Sequence, residues 1–223
     1  MKISIIIPVY NEKETILRVL QRVQAVPLEK EIIVIDDGST DGTGEVLRRL
    51  HGQGNIRVIF QEKNRGKGAA VRRGLKEVSG EIVAIQDADL EYNPEDYLHL
   101  VEPILKGQSR VVYGSRFLGR NAFPPVSFLA NKFLTFLVNI FYGGKLTDME
   151  TCYKVFRREA IVPLSLRSER FEIEVEVTCK LLLKKEFIYE LPIHYQCRSF
   201  FHGKKIGWID GLKALWAILK YRF

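Results

Sequence analysis

Residues 3–12 of this chain read ISIIIPVYNE, and residues 31–43 read EIIVIDDGSTDGT. Each stretch begins with a continuous aliphatic run, which is typical of a strand buried on both faces of a parallel sheet. Each run then turns polar, at the point where the strand would end. The segment between them, residues 12–23, has apolar residues at helical spacing: Ile16, Leu17, Leu20 and Val23. Together these patterns predict a strand–helix–strand unit with a right-handed crossover.

The same alternation continues as far as residue 85. Helical patterns at 43–50 and 68–78 alternate with strand-like runs at 56–60 and 81–85, and Pro94 suits the first turn of a further helix. The second half is less regular, with a strand at 110–113, a loop rich in Arg and Gly at 114–125, a helix at 171–184 and a strand at 188–193. This order predicts an α/β fold, in which a Rossmann-like, mostly parallel sheet is flanked by helices.

The composition fits one globular domain with a preference for anionic partners. Of the 223 residues, 46% are hydrophobic, which is enough for a full core. A formal net charge of +7 suits phosphate groups or an anionic membrane face. The three cysteines, Cys152, Cys179 and Cys197, match neither a disulfide framework nor a zinc pattern, so reduced thiols are expected. Nucleic-acid binding is not expected, because the basic residues are dispersed and no stacking motif accompanies them.

Three polar clusters follow predicted strands. They are residues 8–12 (PVYNE), 36–42 (DDGSTDG) and 87–91 (DADLE). Ligands of open parallel sheets bind beyond the carboxyl ends of the strands, so these clusters should meet at one edge of the sheet. Taken singly, the first two could be helix caps or turns, and the third could be a chance pair of aspartates. Their joint occurrence predicts a ligand site.

The acidic triplet Asp87-Ala88-Asp89 suits the binding of a nucleoside diphosphate. A departing diphosphate concentrates negative charge, which Mg²⁺ or Mn²⁺ neutralises when one or two carboxylates and the phosphates hold it. Asp89 and Glu91 are the predicted metal ligands, and Asp87 serves the nucleotide or orients the metal. Glu12 and Asp37 are candidates for hydrogen bonds to the base and ribose.

Two common nucleotide-binding motifs are absent from the sequence. No Walker-type phosphate loop occurs, and no Gly-x-Gly-x-x-Gly follows the first strand, which argues against a dehydrogenase. Residues 64–68, NRGKG, could bind phosphate at a helix N-terminus, or could form a tight loop with solvated cations. The two interpretations carry equal weight.

The runs ISIIIPVYNE, EIIVIDDGSTDGT, NRGKGAA, QDADLEYNPED and VYGSRF resemble the family 2 inverting glycosyltransferases of the GT-A fold. The runs FEIEVEVT and GKKIGWIDGLKALW resemble, more narrowly, the polyprenyl-phosphate glycosyltransferases, of which the dolichyl-phosphate mannose synthases are the best known. The resemblance covers nearly the whole chain in order. It implies a single GT-A catalytic domain over residues 1–223, with Mg²⁺ or Mn²⁺ as cofactor and GDP-mannose or UDP-glucose as donor.

The resemblance also implies residue roles. Arg116 matches an arginine near the sugar and the acceptor phosphate, and Arg198 and Lys204 match a basic pair on a late loop that closes on phosphates. Asp89, Arg116 and Arg198 are the implied catalytic residues, and Glu91 stands where mannose synthases often have a metal-coordinating Gln. The positions that match nucleotide-sugar contacts are Pro8, Tyr10, Glu12, Ile35, Asp37, Asp87, Ala88 and Lys204.

The implied reaction moves a hexose, with inversion, to a polyprenyl phosphate of the dolichyl or undecaprenyl kind. A phosphate monoester, with a second pKa of about 6, is already anionic and needs no general base. Arg116, Arg198 and Lys204 would instead offset the negative charge of donor and acceptor. Residues 147–152, TDMETC, depart from the small Ser-Gly pair of many mannose synthases, so Asp148 and Glu150 could line the sugar pocket or cap a helix. Mannose and glucose both stay open.

A polyprenyl acceptor implies a membrane surface as a partner. Residues 122–143 are mostly apolar but are interrupted by Asn131, Lys132 and Asn139, which favours a segment in the interface over a membrane span. Residues 207–223 form a predicted amphipathic helix, for which packing on the sheet is an equally good interpretation. Its apolar face holds Ile209, Leu212, Leu215, Trp216 and Leu219. A peripheral location on the cytoplasmic face of the membrane is expected.

Two other functions stay open on the sequence alone. A family 2 transferase with a soluble or glycan acceptor would need a general base, for which Asp148 and Glu150 are candidates. A nucleotide-binding regulator would keep the donor contacts and catalyse nothing. Extraction of the product into organic solvent separates the first from the polyprenyl interpretation, and transfer with manganese would exclude the second.

Overall fold

A computed structural model of the chain describes residues 1–197 and 208–222. Within these residues seven strands form one sheet, flanked by helices. The strands are Ile3–Val9 (β1), Lys30–Asp36 (β2), Ile56–Phe60 (β3), Ile82–Ile85 (β4), Val111–Ser115 (β5), Lys154–Arg157 (β6) and Ile188–Pro192 (β7). The helices are Ile16–Ala25 (α1), Thr43–Leu50 (α2), Lys67–Leu75 (α3), Tyr97–Leu100 (α4), Glu102–Leu105 (α5), Pro125–Tyr142 (α6), Arg158–Ile161 (α7), Ile173–Leu183 (α8) and Trp208–Lys220 (α9).

The strand order is β3-β2-β1-β4-β6-β5-β7, and every pairing is parallel except the two that β6 makes with β4 and β5. The predicted mostly parallel α/β sheet is therefore confirmed. Strand β1 lies next to the central strand β4, and its Ile5, Ile6 and Ile7 are fully buried because helices cover both faces of the sheet. Burial of this aliphatic surface is the main driving force for folding, at roughly 25 cal/mol per Å².

The antiparallel strand β6 is not predicted by the sequence pattern. Its sequence, KVFR, is short and has only two apolar residues, whereas β1 and β4 are mainly aliphatic runs. Lys154 is nevertheless fully buried, because its ammonium group is paired with the carboxylate of Glu174 on α8. A reading of single residues treats lysine as exposed, and so it misses a strand whose lysine has a distant partner.

The order of the strands creates a crevice at the carboxyl ends of β1 and β4. From β1 the chain moves outward through β2 to β3, and then returns to the other side of β1 as β4. At such a switch point the loops after the two neighbouring strands diverge, and ligands of open α/β sheets bind between them. The predicted clusters 8–12 and 87–91 follow these two strands.

Two helices differ in detail from the patterns that predicted them. Helix α1 begins at Ile16. Leu17, which was predicted on its apolar face, is 44% exposed, and Val19 is buried on that face instead. Helix α3 begins at Lys67 and approaches the loop at 168–170 closely. A Cβ at Gly68 would lie 2.5 Å from the carbonyl oxygen of Ser168, so only glycine fits there.

Helices α6 and α9 contact each other at the side of the molecule and expose apolar side chains. Helix α6 has 18 residues, is long and apolar enough to cross a membrane by length and composition alone, and buries only Leu134, Thr135 and Val138. Among residues 211–220 of α9, whose side chains the structure describes, Ala214, Ala217 and Ile218 are buried. The members of the predicted apolar face of α9 that the structure describes lie mainly outward: Leu212, Trp216 and Leu219 are exposed, and Leu215 is partly buried.

Candidate active site

The loops after β1 and β2 are joined by hydrogen bonds at the crevice. Asn11, which has a positive φ of 51°, accepts from the backbone N–H of Thr40 through Oδ1 at 2.8 Å, and its own N–H donates to Ser39 Oγ. The N–H of Glu12 donates to Thr43 Oγ1. Asparagine tolerates this left-handed conformation better than most residues. The clusters 8–12 and 36–42, which are distant in sequence, therefore form one wall, as predicted.

Thr15 connects this wall to the loop after β4. Its hydroxyl lies 2.7 Å from a carboxylate oxygen of Glu12 and 2.8 Å from the carbonyl oxygen of Ala88. The predicted nucleotide contacts Glu12 and Ala88 are thus brought together. Thr15 itself was not among the predicted residues, because a threonine at the start of an amphipathic helix reads as a cap.

Asp37 holds the loop of residues 61–66 in place. Its two oxygens accept from the side chains of Gln61 and Asn64 and from the backbone N–H groups of Arg65 and Gly66, at 2.7–2.9 Å. Burial raises the pKa of Asp37, although these N–H groups oppose the shift. A carboxylate offers about four lone-pair positions, so four donors occupy Asp37 fully.

Lys67 forms the centre of a buried chain of ion pairs. Its ammonium group lies 2.7 Å from Asp87 and 3.0 Å from Glu174, and Glu174 also pairs with Lys154. Burial opposes the charge on Lys67, but the two carboxylates outweigh it and raise the pKa of Lys67 well above its ordinary value. Of the two interpretations of residues 64–68, the tight loop is supported, although its lysine is paired and buried instead of solvated.

The predicted metal ligands lie at the outer end of the triplet. Asp89 and Glu91 are both partly exposed, and Leu90 between them has a positive φ of 66°. The N–H of Glu91 donates to Asp89 Oδ1 at 3.1 Å, and Tyr195 donates to Glu91 Oε2 at 2.8 Å. Among the residues that the structure describes, no group of three or more His, Cys, Asp or Glu side chains could enclose a metal. Two carboxylates would fill only part of the coordination shell of Mg²⁺ or Mn²⁺. Phosphate oxygens and water would fill the remaining positions, as is usual for these ions.

Arg116 lies in a buried pair with Asp148. Its Nε and Nη2 each lie 2.8 Å from one oxygen of Asp148, and its backbone N–H donates to the same carboxylate at 3.0 Å. Burial opposes the charge on Arg116, but Asp148 raises the pKa of Arg116 further above its already high value. The guanidinium carbon also lies 5.2 Å from the centre of the Tyr195 ring. Through Tyr195, Arg116 is linked to Glu91, so the structure brings the predicted arginine to the metal side of the crevice.

The segment that carries Asp148 is fixed by Glu190 on β7. The N–H groups of Thr147 and Asp148 donate to the two oxygens of Glu190 at 2.7 and 3.1 Å. Burial raises the pKa of Glu190. Glu150 follows in the same segment, and burial raises its pKa to about 7 even though Lys154 opposes the shift.

The remaining predicted residues fall into two groups. Pro8 and Ile35 lie opposite each other in the paired strands β1 and β2. Ile35 is fully buried, so only its backbone can face a ligand. Tyr10 follows β1 and is partly exposed. Arg198 and Lys204 lie outside the described residues. Lys67 was predicted only as a member of the loop at 64–68, and Glu174 was not predicted as a site residue, although two glutamates among the apolar residues of α8 were a visible signal of buried charge.

Comparisons with known proteins agree with this geometry. The family described as Glycosyl transferase family 2 matches residues 4–163. The chain is 31% identical to a dolichol-phosphate mannosyltransferase of Pyrococcus furiosus, covering 99% of this chain and 64% of that protein, so it spans just under two thirds of that relative. It is 28% identical to a UDP-N-acetylglucosamine–dolichyl-phosphate N-acetylglucosaminyltransferase of Methanococcus voltae, covering 97% of this chain and 94% of the relative.

Solved structures support the same fold. Glucosyl-3-phosphoglycerate synthase from Mycobacterium tuberculosis, in complex with UDP, superimposes with a TM-score of 0.74 at 22% identity, covering 99% of this chain and 80% of that one. The same enzyme in complex with Mn²⁺, UDP-glucose and phosphoglyceric acid gives a TM-score of 0.72 at 22% identity, covering 99% and 79% of the two chains. The fold is GT-A, and the chain belongs to glycosyl transferase family 2.

Proposed function

We propose that the chain transfers a hexose from a nucleoside diphosphate sugar to a polyprenyl phosphate, with inversion at the anomeric carbon. The observation that carries the proposal is the pair of partly exposed carboxylates, Asp89 and Glu91, beside loops that follow β1 and β2 at a switch point. Mannose and glucose are the candidate sugars. Relatives named for dolichyl phosphate and undecaprenyl phosphate support this class of acceptor.

In this proposal each part of the crevice has a task. The first and second loops receive the nucleoside, with Glu12 near the ribose and with Asp37 acting by fixing the loop at 61–66. Asp89 and Glu91 would hold Mg²⁺ or Mn²⁺, which would supply the positive charge that neutralises a departing diphosphate. Asp87 forms an ion pair with Lys67 and thereby orients the loop that follows β4. The metal is supported by the donor set and by neighbouring GT-A structures obtained with Mn²⁺ or Mg²⁺.

The acceptor needs electrostatic help more than a base. A lipid phosphate with a second pKa of about 6 is already an anion near neutral pH. Arg116 lies beside the metal side of the crevice, but Asp148 offsets much of its charge, so Arg198 and Lys204 are assigned most of the task of neutralising the acceptor. We expect R198A to abolish transfer while the nucleotide sugar still binds.

The acceptor also requires access to a membrane, and α6 and α9 supply the proposed contact. Val126, Leu129, Phe133, Phe136 and Ile140 on α6 are 54–82% exposed, and Trp216 on α9 is 65% exposed. Large apolar side chains on two adjacent helices favour the interface of a bilayer. A peripheral location at the cytoplasmic face follows from this proposal.

A donor panel tests the proposed function. Purified protein is incubated with UDP-glucose, UDP-N-acetylglucosamine or GDP-mannose, with a polyprenyl phosphate, and with Mn²⁺, Mg²⁺ or EDTA. One donor should give a product that is extracted into organic solvent, and EDTA should abolish its formation. A product that stays in water with a glycan acceptor would favour the alternative transferase, and no turnover of any donor would overturn the proposal.

A further inference from the structure

Tyr195 contacts two charged side chains on the metal side of the crevice. Its hydroxyl donates a hydrogen bond to Glu91 Oε2 at 2.8 Å, and the guanidinium carbon of Arg116 lies 5.2 Å from the centre of its ring. Tyr195 was not among the residues predicted from the sequence. It follows β7 and is 104 residues away from Glu91, so only the fold brings the two together.

The ring of Tyr195 is held in place by other aromatic rings. It stacks on Phe123, with 5.4 Å between the ring centres and an angle of 13° between the planes, and it meets Tyr92 edge to face at 5.2 Å. Both arrangements are favourable for aromatic pairs. Together with Arg116 these neighbours restrict the ring, so its hydroxyl meets Glu91 from a fixed direction.

The backbone around Tyr195 is fixed independently of this hydroxyl. The N–H of Gln196 donates to the backbone carbonyl oxygen of Glu91 at 2.8 Å, and the N–H of His194 donates to Asp96 Oδ2 at 2.8 Å. These bonds already join the segment after β7 to the loop after β4. The hydroxyl of Tyr195 is therefore not needed to join them, and what it adds is a hydrogen bond to the carboxylate of Glu91.

A metal ligand gains from such a hydrogen bond. Glu91 is partly exposed and has a long, flexible side chain, which loses rotamer freedom when an ion binds to it. A carboxylate that is already held in one conformation has less of this freedom to lose. Carboxylates that bind metals usually have hydrogen-bond partners of this kind, and removal of the partner typically lowers metal affinity about 10- to 100-fold.

We propose that Tyr195 is a positioning residue for metal binding: its hydroxyl holds the carboxylate of Glu91 in the conformation that receives Mg²⁺ or Mn²⁺. The inference rests on the proposed function, because it takes Asp89 and Glu91 as the metal ligands. The ring, as distinct from the hydroxyl, packs against Arg116. Loss of the hydroxyl alone should therefore weaken metal binding and leave Arg116 in place.

The test measures the dissociation constant of Mn²⁺ from the EPR signal of the free ion, with saturating UDP or GDP, whichever the wild type binds. The proteins are the wild type, Y195F, E91A and the double variant Y195F/E91A. Y195F keeps the ring, and its Mn²⁺ dissociation constant should rise about tenfold, at the lower end of the usual range because Glu91 is partly exposed. In the E91A background Y195F should cause no further change, because the hydroxyl acts through Glu91.

The matched control is Y92F. The hydroxyl of Tyr92 belongs to the same group of aromatic side chains, but it accepts from the N–H of Cys152 at 3.1 Å, so its loss should leave Mn²⁺ affinity unchanged. Binding of the nucleoside diphosphate in EDTA should be equal in Y195F and the wild type. At saturating Mn²⁺, Y195F should also recover the wild-type kcat with the donor that the wild type turns over.

Three results would overturn the inference. Y195F could bind Mn²⁺ as the wild type does, Y92F could weaken binding as much as Y195F, or Y195F could have the same effect with and without Glu91. A low kcat of Y195F at saturating Mn²⁺ would also overturn it, because Tyr195 would then be a catalytic residue. Wild-type Mn²⁺ affinity in E91A would instead refute the metal ligands of the proposed function, and the inference would fall with them.

Discussion

At the scale of single residues, the crevice is built from charges that are buried in compensated pairs. Lys67 pairs with Asp87, Lys154 with Glu174, and Arg116 with Asp148. A charge taken out of water costs several kcal/mol, and a close partner of opposite sign recovers most of that cost. These pairs hold the loops after β4 and β5 in fixed positions.

Glu150 should make the stability of the protein depend on pH. Burial raises its pKa from the ordinary 4.5 to about 7, in surroundings that include Lys154, Glu174, Arg116 and Asp148. Between these two values the folded state keeps a proton that the unfolded state has lost, so the free energy of unfolding falls as pH rises from about 4.5 to about 7. The substitution E150Q removes this fall. At pH 8 it should be more stable than the wild type by roughly 2–4 kcal/mol, at 1.36 kcal/mol per pH unit between the two pKa values.

Urea denaturation of the wild type and E150Q at pH 4.5 and pH 8 checks this expectation. The two proteins should unfold with similar free energies at pH 4.5, where both side chains are neutral. Parallel curves at both pH values would contradict the assignment of the pH dependence to Glu150.

Lys67 should be a major stabilising residue, since it pairs with the buried carboxylate of Glu174 and the partly exposed carboxylate of Asp87. In K67M, Asp87 loses its cation and Glu174 keeps only Lys154, so the free energy of unfolding should fall by about 1–3 kcal/mol. The matched control is K106M. Lys106 also pairs with a carboxylate, Glu102, but both side chains are about 60% exposed, so water screens the pair and its loss should change the stability little. Equal losses in the two variants, measured by urea denaturation, would refute the role given to Lys67.

The sequence predicts which acidic residues reach the crevice, but it does not predict their partners. Asp87 and Asp89 follow an aliphatic strand, so their position at the carboxyl end is fixed by the chain itself. Arg116 and Asp148 are 32 residues apart, and the pair forms only because β5 and the segment before β6 are neighbours in the folded sheet. Partners of this kind depend on tertiary packing, which no local pattern encodes.

At the scale of elements, a strand can be predicted from the sequence when one factor, such as burial on both faces, determines its pattern of apolar residues. Strands β1, β2 and β4 are buried on both faces over most of their length, so their sequences are mainly aliphatic, whereas the edge strand β3 alternates buried and exposed residues. The strand patterns of all four agree with the observed bounds within one residue. Strand β6 runs antiparallel between β4 and β5 and carries a buried lysine. The sequence of β6 is determined both by its position in the sheet and by the ion pair of Lys154 with Glu174 on α8. The lysine in this strand can therefore be explained only once the fold is known.

The exposed face of α6 should bind membranes. Leu129 and Phe136 are 70% and 57% exposed, so L129Q/F136Q removes apolar surface without opening a cavity, and stability should change by less than about 1 kcal/mol. Each large side chain that enters a bilayer contributes roughly 1.5–3 kcal/mol, so vesicle binding should fall at least tenfold. In a flotation assay, the control L98Q/L105Q, which alters exposed leucines on α4 and α5, should bind as the wild type does. Flotation unaffected by L129Q/F136Q would contradict a membrane role for α6.

At the scale of the whole molecule, charge and apolar surface meet at α9. The formal net charge is +7, and a groove beside Trp216 is lined by four basic residues, Arg167, Arg170, Lys213 and Lys220, and by two acidic ones, Glu169 and Glu172. Lysines that flank an exposed apolar stripe can place their stems along it and their ammonium groups near lipid headgroups. We therefore expect Lys213 and Lys220, beside the exposed Trp216, to contribute to the attraction of the protein to an anionic bilayer.

The substitution K213Q/K220Q lowers the formal net charge from +7 to +5 in this groove, and K184Q/K185Q makes the same change at exposed lysines that follow α8. Each lysine near an anionic surface contributes about 1 kcal/mol, so K213Q/K220Q should weaken binding to phosphatidylglycerol vesicles by about tenfold or more. Binding to neutral phosphatidylcholine vesicles should not change. In 1 M salt, where charges are screened beyond about 3 Å, the difference from the wild type should vanish. If K184Q/K185Q weakens binding equally, the attraction comes from total charge, and α9 is not the face that meets the lipid.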